Sequence, residues 1–173
     1  LLIGATEFCQ IVGIDPKRFE VRRQRERASL DVAESLGRPV EDALVLPITP
    51  IVTGRHSRFD PLDCVGMRAV IVLEAAGMDF AKAAQFVRSA GLSAFLSHNG
   101  QSGDFHFARW TTADGTLSRS FGTKAELANA MPEAPSASII VNVSSVAAEI
   151  AARAADIGLA IDNLTFSRKG KSV

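Results

Sequence analysis

The stretch Thr53-Gly54-Arg55-His56-Ser57-Arg58-Phe59-Asp60-Pro61-Leu62-Asp63 decides the fold. Gly54 stands where a tight turn needs it, Arg55, His56 and Arg58 make a hairpin tip cationic, and Phe59 is expected to fold inward as its anchor. Asp60, Pro61 and Asp63 then write a helix start: a capping carboxylate, a proline at the first position and an acid three residues after the cap. Leu62, Val65, Ala69, Val72, Leu73 and Ala76 recur at helical spacing up to Gly77. Asp79 opens a second helix with Phe80, Ala83, Ala84 and Val87 as its stripe and Gly91 as its exit. A cationic projection on a rigid helical base suits phosphate backbones.

Upstream, Ala5 to Val12 reads as a short helix with Ala5, Phe8, Cys9 and Val12 on one face, ended by Gly13. Asp15 caps a second helix, Pro16 begins it, and it is expected to run to about Arg27. Between Lys17 and Arg27 six cations (Lys17, Arg18, Arg22, Arg23, Arg25 and Arg27) face Glu20 and Glu26, a local excess of about four charges. A solvated amphipathic helix would also carry such charge, but here the basic helix follows a short Gly-containing turn and precedes a basic hairpin. Residues 28–52 read as an elaborated link, extended around Pro47 and Pro50, that leads a strand into the hairpin.

Helix, turn, basic helix, a hairpin ending in Arg58-Phe59, then Asp60-Pro61-Leu62-Asp63 and a helix pair broken by Gly77-Met78-Asp79 resembles the MerR-type winged helix-turn-helix over about residues 3–91. The resemblance implies a second helix in the major groove of double-stranded DNA and a wing on flanking phosphates. Carried over by position, the DNA-binding set is Lys17, Arg18, Arg22, Arg23 and Arg25 on the groove helix and Arg55, His56 and Arg58 on the wing. It implies a cytoplasmic bacterial transcription regulator acting as a homodimer. Activators of that family continue into a long dimerisation helix, whereas here Gly91 stops the helix and an α/β pattern follows.

In that second part, Leu92–Ser97 reads as a short strand, and two strands flank Asp114-Gly115, a hairpin-turn signal. Thr123 with Glu126 opens a helix to Met131. Ser138–Val143 is the most apolar strand, and Ser144 or Ser145 is expected to cap a last helix ending at Gly158. The order β-β-β-α-β-α predicts a small α/β sheet domain with helices on one face. The fold class expected is thus α+β: a winged helix-turn-helix at 1–91, an α/β dimerisation or partner domain at 92–160, and a basic mobile tail at 161–173. The alanines of the last helix serve either a dimer contact or an intramolecular core.

The composition, 47% hydrophobic and 22% charged, is that of a folded globular protein. A formal net charge of zero excludes binding driven by overall cationic charge, so any nucleic-acid affinity must be local. No apolar run reaches the length of a membrane span. Cys9 and Cys64 are expected reduced and buried, and no structural metal site or cofactor is expected. His98, Asp104 and His106 lie close in sequence, but no nucleophile-elbow or phosphate-loop spacing accompanies them, and no enzyme is expected. A protein-interaction adaptor built on the winged fold is the competing reading, and a small-molecule sensor with its ligand between the domains is a third.

Overall fold

The computed structural model describes residues 1–39, 46–48, 51–53, 56–89, 104–131, 135, 137–162 and 165–168, with only the backbone given for 51–53, 56 and 89. It is mixed α+β with a small antiparallel sheet. The expected strand at Leu92–Ser97, the loop before Asp104 and the tip residues 54 and 55 lie outside the described residues. Among the described residues no helix is long and apolar enough to cross a membrane.

Helix α1 spans Ala5–Val12 and buries Phe8, Cys9, Ile11 and Val12. Gly13 ends it at φ 76°, a left-handed conformation that glycine adopts without a Cβ penalty. Asp15 accepts the Arg18 N–H at 2.9 Å and Pro16 opens α2, as expected. Helix α2 does not stop near Arg27 but continues to Ser35, 20 residues in all. The reason is local: residues 28–35 contain neither glycine nor proline, and the first breaker is Gly37, at φ 61°, followed by Pro39. The Arg38 N–H reaching the Ala33 carbonyl at 2.9 Å closes that end.

Strands β1 (Ile51–Thr53) and β2 (His56–Arg58) pair antiparallel with Thr53 opposite His56. Phe59, fully buried, is the inward anchor: it stacks on Phe8 at 4.2 Å, with Phe19 of α2 at 5.9 Å. It also exchanges two backbone hydrogen bonds of 3.0 Å with Ile3. Helix α3 (Pro61–Ala75) begins with the reciprocal Asp60–Asp63 cap, at 2.8 and 3.1 Å. Its burial is wider than the expected stripe. Cys64, Gly66, Met67 and Val70 are inside with Val65, Ala69 and Leu73, whereas Ala76, the capping residue, is exposed. A helix apolar on nearly every side is a central helix. Asp79 caps α4 (Phe80–Ser89), accepting N–H groups from Ala81 and Lys82.

The sheet has order β4-β3-β5, with β3 (Phe105–Thr111) between β4 (Leu117–Thr123) and β5 (Ala137–Asn142). Alternation sends Phe105 and Phe107 to one face and His106, Ala108 and Trp110 to the other. Phe107 meets Phe86 of α4 edge-on at 6.4 Å, while Ala108 and Trp110 pack under Leu127 of α5 (Lys124–Ala130). Helices therefore cover both faces, not one. The cap of α6 (Val143–Asp156) is Asn142, whose side chain accepts the Ser145 N–H at 2.9 Å. Ser144 lies inside the helix, where its hydroxyl accepts the Phe105 N–H at 3.0 Å.

Two features of the structure bear on the expected organisation. The stretch expected to be a mobile tail holds a hairpin, β6 (Leu159–Asp162) against β7 (Thr165–Arg168), with Phe166 buried. Buried residues from before and after the expected boundary at Gly91 also pack together. One contiguous cluster takes Phe8, Phe59 and Leu73 together with Phe105, Val141, Ile150 and Phe166. A polar contact crosses as well: Arg68 of α3 grips both carboxylate oxygens of Glu149 on α6 at 2.7 and 3.1 Å, and within α6 Arg153 pairs with the same carboxylate at 2.9 Å.

Candidate nucleic-acid interface

The cations of α2 divide into three rows because the helix turns about 100° per residue. Arg18 and Arg22 face the junction of α3 and α4. Arg22 is 8% exposed, donates through one guanidinium nitrogen to both oxygens of Glu74 at 2.8 and 3.0 Å, and lays its guanidinium 3.6 Å over the centre of the Phe80 ring. Its other terminal nitrogen is buried without a hydrogen bond. Burial pushes the Arg22 guanidinium below its ordinary pKa, and the Glu74 carboxylate works against that. Arg18 shares Glu74 at 2.7 Å while remaining mostly exposed.

Arg23 points sideways to the hairpin, donating to the Ser57 hydroxyl at 2.6 Å with its guanidinium 5.9 Å from the Phe19 ring. The helix is thus tied to β2, the strand that ends in Arg58. A further tie lies along α2: the Glu26 carboxylate accepts the Leu46 N–H at 2.9 Å, and Arg88 of α4 donates to the Leu46 carbonyl.

The outward row is Lys17, Val21, Gln24, Arg25, Ala28 and Val32, all exposed and spaced to share one face. Lys17 and Arg25 have no side-chain hydrogen bond or ion pair among the described residues. Arg58 is exposed at the end of β2, His56 is placed by its backbone alone, and Arg55 lies outside the described residues. Of the expected contact set, then, Lys17, Arg25 and Arg58 stand open to solvent. Arg22 is committed to the interior, and Arg23 and much of Arg18 to holding α2 in place. Sequence reasoning missed Gln24, which the spacing from Lys17 would have placed on the outer face. It also missed Glu74, a carboxylate in the last turn of α3, where the helix dipole disfavours negative charge and a cationic partner is called for.

The thiols sit as expected. Burial, with Asp15 adding to it, raises the Cys9 pKa to about 11, and burial raises Cys64 further, so both stay protonated at neutral pH. His106 Nδ1 lies 3.4 Å from Asp104, and no group of three metal-ligating side chains occurs among the described residues. His98 lies outside them.

The chain matches no protein-family profile, and no curated protein matches it. Among the described residues, helix α2 is thus a basic helix whose inner cations are engaged by its own fold and whose outer cations, Lys17 and Arg25, are not.

Proposed function

We propose that this chain is a sequence-specific DNA-binding regulator with a winged helix-turn-helix head similar to the MerR type. Helix α2 lies in the major groove and the β1–β2 hairpin lies on flanking phosphates. The observation that carries the reading is the outward row of α2, where Gln24 is exposed and the cations Lys17 and Arg25 are exposed and unpaired among the described residues, on a helix bonded to the hairpin through Arg23 and Ser57. Gln24 and Arg25 have the donors and acceptors that read base edges, Lys17 and Arg58 are phosphate contacts, and Arg18, Arg22 and Arg23 position the helix. A cytoplasmic homodimer, with two heads on a pseudo-palindromic site, completes the proposal.

Selection from a random DNA library tests it directly: an enriched motif with two half-sites is the expected result, and no enrichment overturns the reading. On the selected site, Arg25→Ala should cost more affinity than on random DNA. Arg58→Ala should weaken both alike and flatten the salt slope by about one unit. The adaptor reading has one observation in its favour: Val21, Val32 and Leu36 expose apolar surface along α2 at 47%, 56% and 58%. Failure of the selection together with a stoichiometric protein complex lost in Val32→Asp would favour it.

A further inference from the structure

A cavity of about 340 Å³ opens between α4 and the β3–β4 side of the sheet, lined by Lys82, Gln85, Phe86, Arg109, Leu117, Ser118 and Arg119. Its size lies within the range of small-molecule sites, roughly 300 Å³ upward. Three of its lining residues are cations and none is a carboxylate. Arg109 and Arg119 stand directly opposite each other in the ladder, and the partner of Arg109 on its other side is Ile139. Like charges facing each other across a strand pair repel. Here the described structure supplies no answering group: neither arginine, nor Lys82, has a side-chain hydrogen bond or ion pair among the described residues. The sequence between α4 and β3, residues 90–103, contains no Asp or Glu.

Of the remaining lining, Gln85 and Ser118 are polar and Phe86 and Leu117 are apolar. Phe86 forms the floor, held edge-on against Phe107, and Leu117 is 55% exposed. On the same face of β4, two residues beyond Arg119, Phe121 is 41% exposed. Guanidinium groups recognise planar or tetrahedral oxyanions through paired N–H donors, and an exposed apolar flank takes a ring. From this arrangement we propose that the cavity binds a small organic oxyanion, a phosphate ester or carboxylate on a flat apolar body, with Arg109, Arg119 and Lys82 on the head group and Phe86 and Leu117 against the body. A half-open cavity of this volume with an aromatic floor is sized for such a molecule. The site is independent of the DNA reading, since no lining residue belongs to α2 or the hairpin.

Titrating the full isotopically labelled chain with phenyl phosphate, benzoate and phenol, followed by amide NMR shifts, tests this. The expected result is saturable shifts at Lys82, Phe86, Arg109 and Arg119 for the anions, at least about tenfold tighter than for phenol. Arg109→Gln and Arg119→Gln should each weaken the tighter anion about tenfold. A preference for phenyl phosphate assigns a phosphate ester, and a preference for benzoate a carboxylate. Arg119 is on the surface, so Arg119→Gln keeps its fold, checked by its own amide spectrum. Equal response to phenol and the anions, shifts centred elsewhere, or unchanged affinity in Arg119→Gln would overturn the proposal.

Discussion

Replacing Arg22 with alanine separates an interior clamp from a DNA contact. The side chain makes two charge-assisted hydrogen bonds to Glu74 and one close contact over Phe80. Hydrogen bonds to charged groups are worth about 1.5–3 kcal/mol and a desolvated cation–π contact about 0.5–2 kcal/mol. Two effects reduce the sum. Glu74 keeps Arg18 as a partner, so it is not left alone, and alanine relieves the cost of burying the guanidinium with one nitrogen unbonded. A net loss of about 1.5–3 kcal/mol follows. For a chain of 173 residues that corresponds to a fall in Tm of about 3–12 °C. Calorimetry on the purified variant reads the fall, and Arg22→Met, which retains an apolar stem against Phe80, should recover part of it. If Arg22→Ala melts with the native chain yet loses DNA affinity, the side chain serves the ligand and the clamp argument is wrong.

Two further perturbations probe the joint between the halves. Burial tends to raise the Glu149 carboxyl, but hydrogen bonds and charge from Arg68 and Arg153 outweigh it and hold the pKa below its usual value. Its stabilising contribution is therefore full above about pH 4.3 and is lost as pH falls through the lower folded value. Urea midpoints from pH 6 to about pH 3 should drop less steeply in Glu149→Gln than in the native chain, and parallel curves would contradict this. Gly13→Ala should cost about 1–2 kcal/mol, because φ 76° is unfavourable with a Cβ. A methyl there would also stand 2.6 Å from the Arg153 guanidinium and displace it from Glu149. An unchanged urea midpoint would refute the strain.

What the sequence disclosed was local chemistry. Asp15-Pro16, Asp60-Pro61-Asp63, Asp79 and Thr123-Glu126 each start a helix where their side chains cap it, and Asp114-Gly115 reverses the β3–β4 hairpin. Phe59 was legible as an anchor because an aromatic between a charged hairpin and a helix cap has only the core to go to. The misreadings concern partners distant in sequence. Arg22 looks like any other arginine of α2 until Glu74, 52 residues away, and Phe80 close over it. The all-round burial of α3 depends on α6, and Phe166 finds a core that no local pattern marks. The length of α2 departs from the expected end near Arg27 for a smaller reason: with no glycine or proline between 28 and 35, the helix runs on to Ser35 and the breaker is Gly37.

The central position of α3 has a consequence for building with this protein. The helix rests on α1 and α4 on one side and on α6 on another, and Arg68 takes its carboxylate from α6. A chimaera grafting residues 1–89 alone onto a foreign partner would carry the exposed row of α2 but leave the flank of α3 uncovered and Arg68 without Glu149. The minimal transplantable unit is therefore larger than the surface it displays: it includes α6, although α6 contributes no residue to that surface. Recombination points that preserve the fold lie outside the α1–α3–α6 packing, not at the glycine where the chain changes character.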